Sequence, residues 1–376
     1  MSSVFVYGTL RHPPLMALVA GGAHGRAAEA RLRDHAVYRE EGGILPVITR
    51  AEGHLAHGTL WRGIGEAALA RLTDFEVPFG YVPVMVNVET DAGREAAVCF
   101  FPPREVRPSS TPWSLDEWIN ADGAVTLHLA RELAAHDPRP DAESLRREWR
   151  MMRHRAEAKH RGATEAAPTE IRRAMQPGDA EIVAEAPVAG SFFKYRSVQL
   201  RHRQFDGGDS GVLSREGFQG AEAALLLPYD PATDRVLLVE QFRVGPFLRC
   251  DAQPWTLEPV AGMVDPGETP EACAIRECHE EAGLEVARTE LIAGFYPSPG
   301  ASTEFHHAYL GIVSLEGDIA TNGGLDEEGE DLRLHVMPFD AAMALVESGE
   351  INAGPLITML FWLARARERL RAGEGA

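Results

Sequence analysis

One run of this 376-residue chain constrains it more than any other. It reads Gly262-Met-Val-Asp-Pro-Gly267-Glu268-Thr269-Pro270-Glu271, then Arg276-Glu277-Cys278-His-Glu280-Glu281-Ala-Gly283-Leu284. Thr269-Pro270-Glu271 has the makings of a helix start: a hydroxyl N-cap, proline at the first helical position and an acid near the positive end. Gly283 supplies a C-terminal stop. Between them Glu277, Glu280 and Glu281 fall at i, i+3 and i+4, so three carboxylates share one helix face. Such charges repel unless a cation lies among them, and hard oxygen ligands suit Mg²⁺ or Mn²⁺. Gly262 and Gly267 bracket a loop free to approach a ligand. Arg276 and Glu268 are expected to pair and hold that loop on the helix. A charge run alone is ordinarily a solvated acidic face; the fixed spacing of glycines, arginine and acids favours the metal site.

The spacing G-x5-E-x7-R-E-U-x-E-E-x-G-U resembles the signature of the Nudix family. Cys278 stands where an aliphatic residue is usual, and a free cysteine packs as a small hydrophobe. Residues from about 181 to 371 resemble the ADP-ribose pyrophosphatase branch of that family. The segments that carry the likeness are Arg215-Glu216, Gly220 to Asp230, Val239 to Arg243, Leu257 to Gly262, Tyr296 to Glu304 with Pro299, Gly324 to Val336, and the closing run from Ile351 to Leu363.

The resemblance implies a set of roles. The Ala261 carbonyl, Glu277, Glu281 and Glu330 would hold the metal, Mg²⁺ or alternatively Mn²⁺. Glu328, with Glu327 as the alternative, would orient or deprotonate the attacking water, and Glu280 joins it as a catalytic candidate. Arg215 and Arg243 would grip a diphosphate, since arginine bonds phosphate bidentately and stays charged. Glu304 would sit beside the substrate. The implied reaction is metal-assisted hydrolysis of ADP-ribose to AMP and ribose 5-phosphate. The alternatives are another nucleotide sugar such as GDP-mannose, or a non-catalytic nucleotide sensor. The related pyrophosphatases exchange strands between two subunits, which implies a homodimer through this half of the chain.

The other half opens on an apolar strand running into Tyr7-Gly8-Thr9-Leu10, followed later by Leu72-Thr-Asp-Phe75-Glu76 and Tyr81. This resembles the gamma-glutamylcyclotransferase-like fold. There the backbone of the Tyr-Gly-Thr-Leu loop binds a substrate carboxylate, and Glu76 would shuttle the proton as a gamma-glutamyl amine closes to 5-oxoproline. The match departs at Val77-Pro78, where the family carries glycine after the acid. A repurposed binding module is the alternative to catalysis.

The expected architecture is therefore α+β and α/β. A gamma-glutamylcyclotransferase-like small β-barrel with helices (1–136) is followed by a basic helix and linker (137–178) and a Nudix α/β/α sandwich (179–372). The basic helix carries Arg146, Arg147, Arg150, Arg153, Arg155, Lys159 and Arg161, and its interleaved Trp149, Met151 and Met152 favour packing over nucleic-acid or membrane contact. A net charge of −19 disfavours nucleic-acid binding but tolerates a small anionic substrate, because metals and a few arginines invert the sign locally. Neither a run long enough to cross a membrane nor a basic, apolar leader is present, so a cytoplasmic protein is expected. The four cysteines form no CxxC pair and are expected as thiols without zinc.

Overall fold

Phe5 and Tyr7 point to one side of the first strand and Val4 and Val6 to the other, and both sides are buried. Alternation with period two on a doubly covered strand produces the continuous apolar start of the chain. A computed structural model describes residues 1–22, 25–136, 140–317, 319–324 and 331–373. They form two compact units: 1–192 with 196–214, and 193–195 with 215–376.

In the first unit the elements are β1 (Ser2–Val6), α1 (Pro13–Ala20), β2 (Arg26–Glu40), β3 (Pro46–Ile64), α2 (Glu66–Glu76), β4 (Val82–Thr90), β5 (Gly93–Phe101), β6 (Pro108–Pro112), α3 (Leu115–Trp118), α4 (Ala124–Ala134) and α5 (Ala142–Thr164). The strand order β3-β1-β5-β4-β2 closes on itself through β2–β3 pairing, and β6 adds to the edge of β2. The result is a five-stranded barrel with helices, in keeping with the small barrel expected. Phe5, Tyr7, Leu32, Ile48, Leu60, Val88 and Cys99 fill it. Gly58 lets β3 cross β1, because a Cβ there would overlap the Phe5 ring and the Val6 carbonyl.

Outside the barrel, Val4, Val6, Leu15, Val19, Ile64, Leu72 and Trp118 form a second core with the helices. A third joins α4 and α5 through Val125, Leu129, Leu133, Leu145, Met152 and Ala156. The basic helix thus packs its apolar stripe on α4. Its Arg155 is fully buried, paired with Glu132 at 2.6 Å and donating to the Phe192 carbonyl at 2.8 Å. β7 (Ala180–Glu185) and β8 (Lys194–His202) then pair antiparallel.

The second unit contains β9 (Leu213–Gln219) from residue 215 onward, β10 (Glu222–Asp230), β11 (Arg235–Phe242), α6 (Val244–Leu248), β12 (Trp255–Glu258), β13 (Val260–Met263), α7 (Pro270–Ala282), β14 (Arg288–Phe295), β15 (Phe305–Ile312), β16 (Asn322–Gly323), β17 (Leu332–Pro338), α8 (Phe339–Ser348) and α9 (Gly354–Arg371). A mixed sheet runs β14-β15-β10-β11-β17-β16, with β12 on β11 and β13 on β10. Ala224, Leu226, Leu237 and Val239 face α7, while Leu225, Leu227, Tyr229 and Leu238 face α8 and α9. This is the expected α/β/α sandwich. All four cysteines are free thiols. Among the described residues no helix is long and apolar enough to cross a membrane.

Candidate active sites

In the second unit α7 begins and ends as its caps dictate. The Thr269 hydroxyl accepts from the Ala272 amide at 3.2 Å, Pro270 opens the helix, and Gly283 closes it at φ +65°. Cys273, Ala274, Cys278 and Ala282 pack inward against Ala224, Leu226 and Val260, so Cys278 serves as the small apolar residue expected of it. Burial pushes the Cys278 thiol up to about 12.

Arg276 organises the acids. Its guanidinium donates to both oxygens of Glu268 at 3.1 and 3.0 Å, to Glu277 Oε1 at 2.7 Å and to Glu280 Oε2 at 2.8 Å. The Glu268 pairing expected from sequence is present. The bond to Glu268, reinforced by Glu277 and Glu280, holds Arg276 firmly protonated. Burial alone would raise Glu268, but Arg276 outweighs it and holds that carboxyl below its usual value.

The three acids of α7 differ in setting. Glu281 is buried at 4% exposure, Glu277 is partly buried and Glu280 lies at the exposed margin. The Glu277 carboxylate occupies the space where a Cβ on Gly262 would stand. Gly262 pairs with Ala224 across β13 and β10, and the preceding Ala261 pairs with Leu225.

Among the described residues, no three His, Cys, Asp or Glu side chains converge as a ready metal cage. The expected Glu328, its alternative Glu327 and Glu330 lie outside the described residues. The available donors, Glu277, Glu281 and the Ala261 carbonyl, are all oxygen and suit a hard dication. Gly262 keeps open the space against Glu277 that any larger residue would fill.

Arg243 stands between β11 and α6 and donates to both oxygens of Glu258, at 2.9 and 2.6 Å. Thr256 fixes Glu258 in turn through a bond of 2.6 Å. Burial would lower the Arg243 guanidinium, but Glu258, and then the charges of Glu281 and Glu304, raise it. Glu281 and Glu304 thus both act electrostatically on Arg243. Glu304 ends the loop after Pro299, with His306 Nε2 at 3.4 Å. Arg215 lies exposed on β9, one residue before Glu216, which binds the Tyr195 hydroxyl.

In the first unit β1 delivers Tyr7, and Gly8 to Arg11 turn at once into a short 3₁₀ segment. Tyr7, Gly8, Thr9, Leu10, Glu76 and Tyr81 all line one cavity of about 850 Å³, within the range of small-molecule sites. Desolvation raises the Glu76 carboxyl to about 7, and no hydrogen bond or ion pair holds it among the described residues. Burial first, then Tyr81 and Glu76, push the Tyr7 hydroxyl upward. The departure at Val77-Pro78 is accommodated: residues Val77–Phe79 form a 3₁₀ turn closed by Gly80 at φ +83°. The glycine that reverses the chain comes after the turn instead of directly after the acid.

Sequence reading missed part of this cavity. Asp122, Thr126, Arg146, Trp149 and Arg153 also line it. The signal was the 146, 149, 153 spacing, which sets one stripe along a helix. From the sequence, Trp149 reads as a packing residue.

Residues 220–359 match the model of the NUDIX domain, and residues 4–120 match that of gamma-glutamyl cyclotransferase, AIG2-like. A protein of Escherichia coli (strain K12) named ADP-ribose pyrophosphatase is 38% identical over 193 residues, covering 51% of this chain and 91% of its own length. The chain belongs to the Nudix family. A GDP-mannose pyrophosphatase of Salmonella arizonae is 32% identical over 149 residues, covering 40% of this chain and 76% of its own. A solved structure titled as an ADP compounds hydrolase covers 54% of this chain and 100% of its own, at 22% identity and a TM-score of 0.40. The Nudix match contains α7 with its capping loop, and the cyclotransferase match contains Tyr7, Glu76 and Tyr81.

Proposed function

We propose that the Nudix unit hydrolyses the diphosphate of ADP-ribose, or of a closely related nucleoside diphosphate sugar, with Mg²⁺ as its ion. The observation that carries this reading is the Arg276 clamp: one guanidinium fixes Glu268, Glu277 and Glu280 beside the Gly262 backbone. The likeness to ADP-ribose pyrophosphatases at 38% identity, against 32% for a GDP-mannose pyrophosphatase, favours ADP-ribose. Glu277, Glu281, the Ala261 carbonyl and Glu330 would hold the ion, which when bound neutralises the diphosphate and activates water. Arg243, oriented by Glu258, and Arg215 would bind the diphosphate oxygens; Glu304 would sit at the sugar side. Glu328 and Glu280 would serve the attacking water. Water adds to a phosphorus, the bridging P–O bond breaks, and AMP and ribose 5-phosphate leave.

The first unit supports a second activity. Glu76, raised by burial to about 7 in a cavity with Tyr7 and Tyr81, would carry the proton transfer. In its ionised form it takes a proton from the attacking α-amine and passes it to the departing amine as the gamma-glutamyl amide closes to 5-oxoproline. The Gly8–Leu10 backbone would hold the substrate carboxylate. We place the chain in the cytoplasm as a homodimer. We divide it at 1–136, 137–178 and 179–372.

The test is phosphate release, after phosphatase treatment, from a panel of nucleoside diphosphate sugars with and without chelator. ADP-ribose should rank first and chelator should abolish turnover. Glu281→Gln should lower kcat by more than about a hundredfold while the protein stays folded. A low rank for ADP-ribose shifts the substrate to another nucleotide sugar, and turnover unaffected by chelator removes the metal reading altogether.

A further inference from the structure

The cyclotransferase match ends at residue 120, yet the cavity does not. One wall comes from α5, residues 142–164, where Arg146, Trp149 and Arg153 sit at i, i+3 and i+7 and face the cavity together. The helix is fixed there by its Leu145, Met152 and Ala156 stripe on α4. We propose that this wall recognises the leaving amine of a gamma-glutamyl compound, and that the amine is an aromatic amino acid. The proposal rests on the cyclotransferase reading of the first unit.

Trp149 supplies the aromatic surface. Its ring meets Phe79 edge-on, with centroids 4.4 Å apart at 60°, and Phe75 at 6.3 Å and 66°. Phe75 and Phe79 flank Glu76 in sequence, so the aromatic wall begins beside the proton-transfer group. A further ring laid against the cavity side of this aromatic cluster gains edge-to-face contacts of the same kind.

The two arginines play different parts. Arg153 is neutralised, since Asp122 accepts from it at 2.6 and 3.1 Å and Thr126 stands beside the pair. Arg146 has no ion pair among the described residues and is the cation left to bind a carboxylate. Glu40 and Glu105 also line the cavity. They suit the ammonium of a zwitterion and repel a nucleotide phosphate. A gamma-glutamyl group alone leaves much of a cavity of about 850 Å³ unfilled, and these rings and Arg146 are part of its lining.

The test uses the full chain and reads 5-oxoproline from gamma-glutamyl-phenylalanine, gamma-glutamyl-alanine and gamma-glutamyl-phenylalanine amide. The parent should prefer phenylalanine over alanine, and the free acid over the amide. Trp149→Ala should lower the phenylalanine-to-alanine ratio of kcat/KM roughly tenfold, through KM. Arg146→Gln, at an exposed position that spares the fold, should lower the acid-to-amide ratio by a similar factor. Unchanged ratios overturn the proposal. Calorimetric titration of Glu76→Gln with gamma-glutamyl-phenylalanine separates the two layers. Binding that weakens in the Trp149→Ala background, without turnover in the parent, keeps the wall and removes the cyclotransferase reading. Absence of binding, or tighter binding of AMP, removes the wall as proposed.

Discussion

The carboxylate of Glu277 lies in the space that a Cβ atom on Gly262 would fill. The glycine that opens the loop is thus a requirement of packing as well as of backbone freedom, and it ties β13 to α7 at the acid proposed to bind the ion. Gly262→Ala should push Glu277 aside without unfolding the sheet. The Mg²⁺ concentration giving half-maximal hydrolysis is expected to rise about 10–100-fold, with kcat at saturating Mg²⁺ partly retained. A metal titration of the variant against the parent measures this, and superimposable curves would leave the contact without a role.

Arg276 is a cation shared by Glu268, Glu277 and Glu280. Arg276→Gln leaves those acids to repel one another and removes several charged hydrogen bonds. A loss of about 1.5–3 kcal/mol is expected in metal-free solution. Added Mg²⁺ should restore part of it, because a dication replaces the missing positive charge. Thermal melts of both proteins with chelator and with Mg²⁺ report the difference, and an equal loss in the two conditions counts against a nearby ion.

The Arg243–Glu258 bridge, at 2.9 and 2.6 Å, presets the guanidinium plane. Lysine keeps the charge but not the fork, so Arg243→Lys should lower kcat/KM for ADP-ribose roughly tenfold or more. Glu258→Gln keeps the phosphate ligand and loses only its orientation, and should cost less. Steady-state kinetics order the two variants. The reverse order would move the phosphate contact elsewhere.

Glu76 carries a pH signature. In the folded chain burial keeps its proton until about pH 7, whereas an unfolded chain releases it near 4.5. Below the lower value both states are protonated and burial costs nothing. As pH climbs from there the unfolded state ionises first, so stability declines, and the loss is complete once the folded carboxyl has also ionised. Glu76→Gln abolishes this titration. The Tm of the variant relative to the parent should therefore grow between about pH 4.5 and 7 and then level off. Formation of 5-oxoproline should rise with pH through the same upper value, since the ionised form accepts the proton. A flat Tm difference across that range would show that Glu76 is solvated.

The loop–helix of the Nudix unit was legible in the sequence because its information is local. Thr269, Pro270 and Gly283 set the ends of α7, and Arg276 reaches Glu268 as its spacing suggests. The five-residue spacing of Cys273 and Cys278 predicts different helix faces, yet both are buried in one core, because the sheet and the segments after α7 cover more of the helix than a single stripe. The cavity of the first unit was only half legible. Tyr7 and Glu76 stand in recognisable local strings, but Gly80, which replaces the missing glycine after the acid, became meaningful only when the turn was seen at φ +83°.

The sequence by itself determined where α7 starts and stops and which acids it carries, because capping and helical spacing act over a few residues. Tertiary structure decided that Glu277 rests on Gly262, that Arg243 is braced by Glu258, and that α5 walls the cavity with Arg146 and Trp149. Those relationships join residues far apart in the chain. They are fixed by which apolar stripe packs on which neighbour, and that choice depends on the whole core and not on any short stretch of sequence.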